Sequence, residues 1–66
     1  MQIRLNGKMR EVAEGSTISR LLDELALKPY QVAVQVNTDI VKRDRYPDHV
    51  LRPGDTVEVL TFAAGG

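Results

Sequence analysis

Ile18, Leu21, Leu22 and Leu25 fall at i, i+3, i+4 and i+7, a spacing that lines them up on one stripe of a helix. Ser19, Arg20, Asp23 and Glu24 take the opposite side. Such a stripe has to be buried. In a chain of 66 residues with one helix of this kind, the surface it meets is one face of a β-sheet. Ser16 or Thr17 can cap the helix by accepting a bond from its first free N–H groups. Lys28-Pro29 is expected to end it, because proline disfavours helical geometry in the residue before it.

Strand patterns lie on both sides of the helix. Met1 to Leu5 alternates, with Ile3 and Leu5 on one face, and Asn6-Gly7 follows as a hairpin signal, since a type I′ turn needs positive φ at both central positions. Lys8 to Val12 reads as the return strand; Met9 and Val12 differ in parity, so a bulge is expected near Arg10. Glu14-Gly15 breaks that strand. Val32-Ala33-Val34-Gln35-Val36 is β-branched and alternating, with Val32, Val34 and Val36 aimed at the core. Asn37-Thr38-Asp39 turns the chain into a very short strand at Ile40-Val41. Lys42 to Asp48 is polar and irregular, and Val50 and Leu51 are expected back in the core. Arg52-Pro53-Gly54-Asp55 has proline and glycine where a type II turn wants them, and Thr56 to Phe62 is the last strand.

The order is strand, strand, helix, strand, short strand, strand. The fold class is therefore α+β: a mixed sheet of about five strands on one main helix, the β-grasp plan. The division expected is a β-grasp domain over 1–62 and a flexible C-terminal tail over 63–66.

Composition narrows the function. Lys plus Arg and Asp plus Glu both number 9, so the formal charge is zero and the basic excess of a nucleic-acid binder is missing. The chain has no cysteine, hence no thiolate nucleophile or thiolate metal site. No apolar h-region follows Met1-Gln2-Ile3-Arg4 and no run approaches the roughly 20 residues of a membrane span, so a soluble cytoplasmic protein is expected. So small a domain has little room for a ligand cleft of roughly 300–1,000 Å³. Function is pushed to the surface, the termini or a partner.

The last strand and its extension are the candidate site. If Val57 and Val59 face the helix, Leu60 points to the open face with Phe62 beside it near the strand end. An outward leucine there suggests a partner surface; isolated exposed apolar residues are also common. Ala63-Ala64-Gly65-Gly66 then extends for about 13–14 Å, and glycines without Cβ can enter a narrow channel. A terminal carboxylate with an ordinary pKa of about 3.3–3.7 is ionised and repels nucleophiles. It becomes reactive once joined to AMP, and with no phosphate loop here a partner enzyme has to do that. Sulfur attack on the acyl-adenylate leaves a thiocarboxylate.

These residues carry a resemblance along nearly the whole chain. Met1-Gln2-Ile3-Arg4-Leu5-Asn6-Gly7, Thr17-Ile18 with Leu21-Leu22-Asp23-Glu24-Leu25, and Val32-Ala33-Val34-Gln35-Val36-Asn37 are its first stretches. Ile40-Val41 with Arg43, Leu51-Arg52-Pro53-Gly54-Asp55-Thr56-Val57-Glu58-Val59-Leu60 and Gly65-Gly66 complete it. In that order they make the chain similar to the sulfur-carrier proteins of thiamine biosynthesis, the ThiS family, with its ubiquitin-like β-grasp fold. The resemblance implies that Gly66 is adenylated by an E1-like enzyme at the expense of ATP, then converted to a thiocarboxylate with sulfur from a cysteine desulfurase or sulfurtransferase. The sulfur goes to thiazole synthase. It also implies that Ala63, Ala64 and Gly65 enter the partner's active site and that Leu60 and Phe62 lie at the interface. The protein itself would then be no enzyme, with no cofactor of its own and no catalytic residue. Lys42 stands where many relatives have proline, and Asn37-Thr38-Asp39 lacks a common glycine.

Other readings remain open at this point. A molybdopterin synthase small subunit or a ubiquitin-like modifier would use the same terminal glycine, while a TGS-type RNA-binding or regulatory module resembles Val36-Asn37 to Val59 and needs no free terminus. Lys42-Arg43-Asp44-Arg45 could be a docking patch, or a solvated loop among Asp39 and Asp48. His49 lacks the companions that a metal or catalytic role requires. Tyr30 and Tyr46, at loop borders, are expected half-buried.

Overall fold

The computed structural model describes residues 1–62; the expected tail, Ala63 to Gly66, lies outside the described residues. Along the chain run β1 (Gln2–Leu5), β2 (Lys8–Glu11), α1 (Ile18–Glu24), β3 (Val32–Val36), β4 (Asp39–Val41) and β5 (Thr56–Thr61). Short 3-10 turns occupy Pro29–Gln31 and Arg43–Arg45. The sheet order is β2-β1-β5-β3-β4. β1 and β5 run parallel at the centre, and every other neighbouring pair is antiparallel. With α1 on one face, this is the expected β-grasp.

Alternation in the strands builds the core. Ile3, Val32, Val34, Val36, Val57 and Val59 from the sheet meet Ile18, Leu21 and Leu22 from the helix, and Val12, Tyr46 and Leu51 close the edges. Thr17 is the helix cap, its hydroxyl accepting from the Arg20 N–H at 3.2 Å. Ser16 is buried instead, its hydroxyl donating to the Ala13 carbonyl at 2.6 Å.

Four local expectations are corrected. The helix stops at Glu24, with Leu25 as cap, well before Lys28. Ala26 takes φ +59°, Leu27 N–H donates to the Leu22 carbonyl at 2.9 Å, and Ala26 N–H to that of Asp23 at 3.0 Å. This is a Schellman end with alanine in the seat that glycine usually fills.

No bulge interrupts the first hairpin, whose register runs unbroken from Gln2↔Glu11 to Leu5↔Lys8. Its two apolar residues of unlike parity go to opposite sides. Val12 joins the core, and Met9 is exposed on the open face. Arg10, opposite Ile3, reaches the Glu24 carboxylate at 3.7 Å.

Val50 is exposed while Leu51 is buried, because neighbours in extended chain point to opposite sides. Val50 pairs with Thr17 in an isolated bridge and Leu51 N–H donates to the Ser16 carbonyl at 2.8 Å. The tyrosines divide likewise: Tyr30 is exposed, and Tyr46, which caps the 43–45 turn, is buried.

Two tight turns frame β5. Asn6 and Gly7 have φ +49° and +84°, as a type I′ hairpin demands. Asn37 and Thr38 have φ +50° and +76° and join β3 to β4 with two residues in the same way. A β-branched residue in left-handed geometry is an outlier, and Thr38 occupies that position without glycine's freedom.

Candidate functional site

β5 has a neighbour on each side, so its side chains divide cleanly between the two faces of the sheet. Val57 and Val59 are 0% and 6% exposed against the helix, whereas Leu60 is 62% exposed on the other face. Phe62, one residue past the strand, is 54% exposed, and its N–H donates to the Gln31 carbonyl at 2.8 Å. Both residues expected at a partner surface are thus exposed at the end of the strand that leads to Ala63, Ala64, Gly65 and Gly66.

The fold adds a residue that the sequence did not mark. Ala33 pairs with Leu60, and Gln35 pairs with both Glu58 and Ile40. Ile40, 79% exposed, therefore stands on the far side of β3 from Leu60, two residues along from the level of the Ala33–Leu60 pair. Ala33, Val34, Gln35, Ile40, Glu58 and Leu60 line a shallow hollow of about 80 Å³. Covering a large apolar side chain of this kind contributes roughly 1.5–3 kcal/mol, so Leu60 and Ile40 are exposed at a cost that covering them would remove. Gln35 and Glu58, level with Ile40, give the hollow a polar border.

The backbone of β5 is tied toward each end by an asparagine side chain, at its first residue Thr56 and at Val59, two residues before its last. Val59 N–H donates to Asn6 Oδ1 at 2.8 Å, and Asn6 Nδ2 donates to the Val59 carbonyl at 3.2 Å. At the start of the strand, Thr56 N–H donates to Asn37 Oδ1 at 2.9 Å. Asn37 Nδ2 donates to Asp55 Oδ1 at 2.9 Å, and Arg52 N–H to Asp55 Oδ2 at 2.9 Å.

The remaining candidates lie elsewhere. His49 is half-buried and borders a shallow hollow with Asp39, Asp48, Lys42 and Arg45 beyond β4. Among the described residues no cluster of three or more His, Cys, Asp or Glu could hold a metal ion. Lys42 to Arg45 is exposed throughout. No helix among the described residues is long and apolar enough to cross a membrane.

Comparison with known proteins converges on the same architecture. The model of the ThiS family matches residues 3–66. The chain is 32% identical over 66 residues to the sulfur carrier protein ThiS of Escherichia coli, each covering the whole of the other. It is 39% identical over 66 residues to a thiazole synthase of Magnetococcus marinus, of whose length it spans 20%. The crystal structure of a thiamine biosynthesis protein (ThiS) from Geobacter metallireducens superposes with a TM-score of 0.84 at 32% identity, with full coverage of both chains. The family match, the sequence relatives and the solved structure agree, and the chain belongs to the ThiS family.

Proposed function

We propose that this protein is a sulfur carrier of thiamine biosynthesis and that the sulfur is held on Gly66. The carrying observation is an apolar surface, Leu60 with Ile40 diagonally across β3, set on the open face near the end of β5 in a chain of this family. A carrier has to be recognised by more than one enzyme while its own body does no chemistry. An exposed apolar face next to the reactive segment meets that need.

In this reading an E1-like enzyme binds the open face and takes residues Ala63, Ala64 and Gly65 into its active site. A Gly66 carboxylate oxygen attacks the α-phosphorus of ATP and expels pyrophosphate, giving an acyl-adenylate. The terminal sulfur of a persulfide on a cysteine desulfurase or sulfurtransferase attacks the acyl carbon and expels AMP, and a second thiol cleaves the resulting acyl disulfide, itself ending in a disulfide with the donor cysteine. The resulting thiocarboxylate delivers sulfur to thiazole synthase. A thiazole synthase that contains a stretch 39% identical to this chain supports that destination. The carrier acts as co-substrate, binds no cofactor of its own, and works in the cytoplasm.

The test is the intact mass of the protein after incubation with ATP, a sulfide source and the activating enzyme. Exchange of one oxygen for sulfur is expected, and its disappearance on deletion of Gly66 or on appending residues after it. An unchanged mass with the authentic activating enzyme, or full loading of the extended chain, would falsify the reading.

A further inference from the structure

β1 pairs with β5 at only two positions, Arg4↔Thr56 and Leu5↔Val57. Asn6 N–H then donates to the Val57 carbonyl at 2.9 Å, and the chain turns away into the hairpin at Asn6-Gly7. Backbone alone would leave β5 without a neighbour on that side from Val59 onward. The Asn6 carboxamide fills the gap. Its oxygen takes the Val59 N–H and its nitrogen serves the Val59 carbonyl, so the side chain imitates one more residue of strand. The next residue, Leu60, is the exposed apolar contact of the open face.

We propose that Asn6 is a positioning residue for sulfur loading: its side chain, 53 residues away in sequence, holds Val59 so that Leu60, Thr61 and Phe62 are already in place when a partner docks. The inference rests on the carrier reading above and assigns part of that site's affinity to a residue outside the contact surface. β5 is held by β3 on its other side through Val32↔Thr61. Without the carboxamide, Val59 keeps one neighbour instead of two, the three residues after it lose their last anchor on that side, and docking must restrict motion that is absent in the native protein. A cost of that kind raises KM and leaves kcat unchanged, because it is the same in the ground and transition states.

Asn6→Gly removes both bonds and keeps a turn sequence, Gly-Gly, that suits positive φ. Asn6→Asp keeps the turn and the acceptor but loses the donor to the Val59 carbonyl. Asn37→Gly is the matched control, since it removes the equivalent tie at the other end of β5. In adenylation by the activating enzyme, KM for Asn6→Gly should rise about tenfold, the equivalent of ordering roughly one backbone residue. Its kcat should stay within about twofold. Asn6→Asp should fall between it and the native protein, and Asn37→Gly should leave KM unchanged. Amide exchange at Val59 to Phe62 should quicken in Asn6→Gly and not in Asn37→Gly, which reads the clamp with no enzyme present.

Native KM in Asn6→Gly, equal KM changes in the two glycine variants, or unchanged exchange at Val59 overturns the inference. Failure of the native protein to be loaded sinks the carrier reading instead and is seen in the same assay.

Discussion

The two ends of β5 are built from the same parts and put to different uses. Each is tied by an asparagine that opens a type I′ turn and lends its side chain to the strand, Asn37 at Thr56 and Asn6 at Val59. At the first end the tie continues into Asp55 and Arg52, so that two turns and a strand lock one another. At the second end the tie stops, and the next residues are exposed leucine and, two further on, phenylalanine. One end closes its polar groups among themselves. The other holds the backbone through Val59 and leaves apolar side chains uncovered, as the proposed partner surface requires.

That contrast can be broken by substitution. The largest effect belongs to the buried side of the strand: Val57→Ala, at a residue 0% exposed, should cost about 2–3 kcal/mol in urea unfolding through lost packing and cavity formation. Leu60→Asp is its counterpart on the open face. It should weaken binding to the activating enzyme by about 1–2 kcal/mol, roughly five- to thirtyfold in titration calorimetry, while stability stays within about 0.5 kcal/mol. Unfolding of that variant would place Leu60 in the core and dissolve the distinction between the faces.

Smaller effects sharpen the comparison of the turns. Asn37→Gly removes one acceptor and one donor from an exposed network, and should lower stability by about 1 kcal/mol. Thr38→Gly should raise it by roughly 0.5–1 kcal/mol, since glycine relieves left-handed strain but adds freedom to the unfolded chain. The same argument applies to Ala26→Gly at the helix end, where φ is +59°, with a similar gain in thermal unfolding. No gain at either position would mean that the surrounding bonds, rather than the residue, set the left-handed backbone.

Several elements were legible because their cause is local. Asn-Gly demands positive φ wherever it occurs, and Asn6-Gly7 delivered its hairpin. The Ile18-Leu21-Leu22 stripe and the Val32–Val36 alternation follow from helical and strand periods, and each is buried where those periods point. Where two physical terms competed, pattern misled. Proline at position 29 was a plausible stop, but the chain had already left the helix through Ala26, a residue with no visible preference for doing so. Val50 and Leu51 both look like core, and an extended backbone can bury only one of them.

The candidate site shows the same division. The alternation of one strand sends Val57 and Val59 to one face and Leu60 to the other, and needs no knowledge of its neighbours. Ile40 could not be placed beside Leu60 that way, since their proximity depends on β3 lying between β4 and β5. Asn6 gave off a signal strong enough to explain it fully as a turn residue, which hid its bonds to Val59.

Periodicity along the chain is a one-dimensional property, and it was sufficient to set the kinds of element, their order, and the side each strand turns to the helix. Which strands lie next to one another, and therefore which distant side chains meet, is set when the sheet closes around its core. Long-range packing made one apolar surface of Leu60 and Ile40 and brought the Asn6 carboxamide to the Val59 backbone, because contacts between residues so far apart in sequence exist only once the whole fold does.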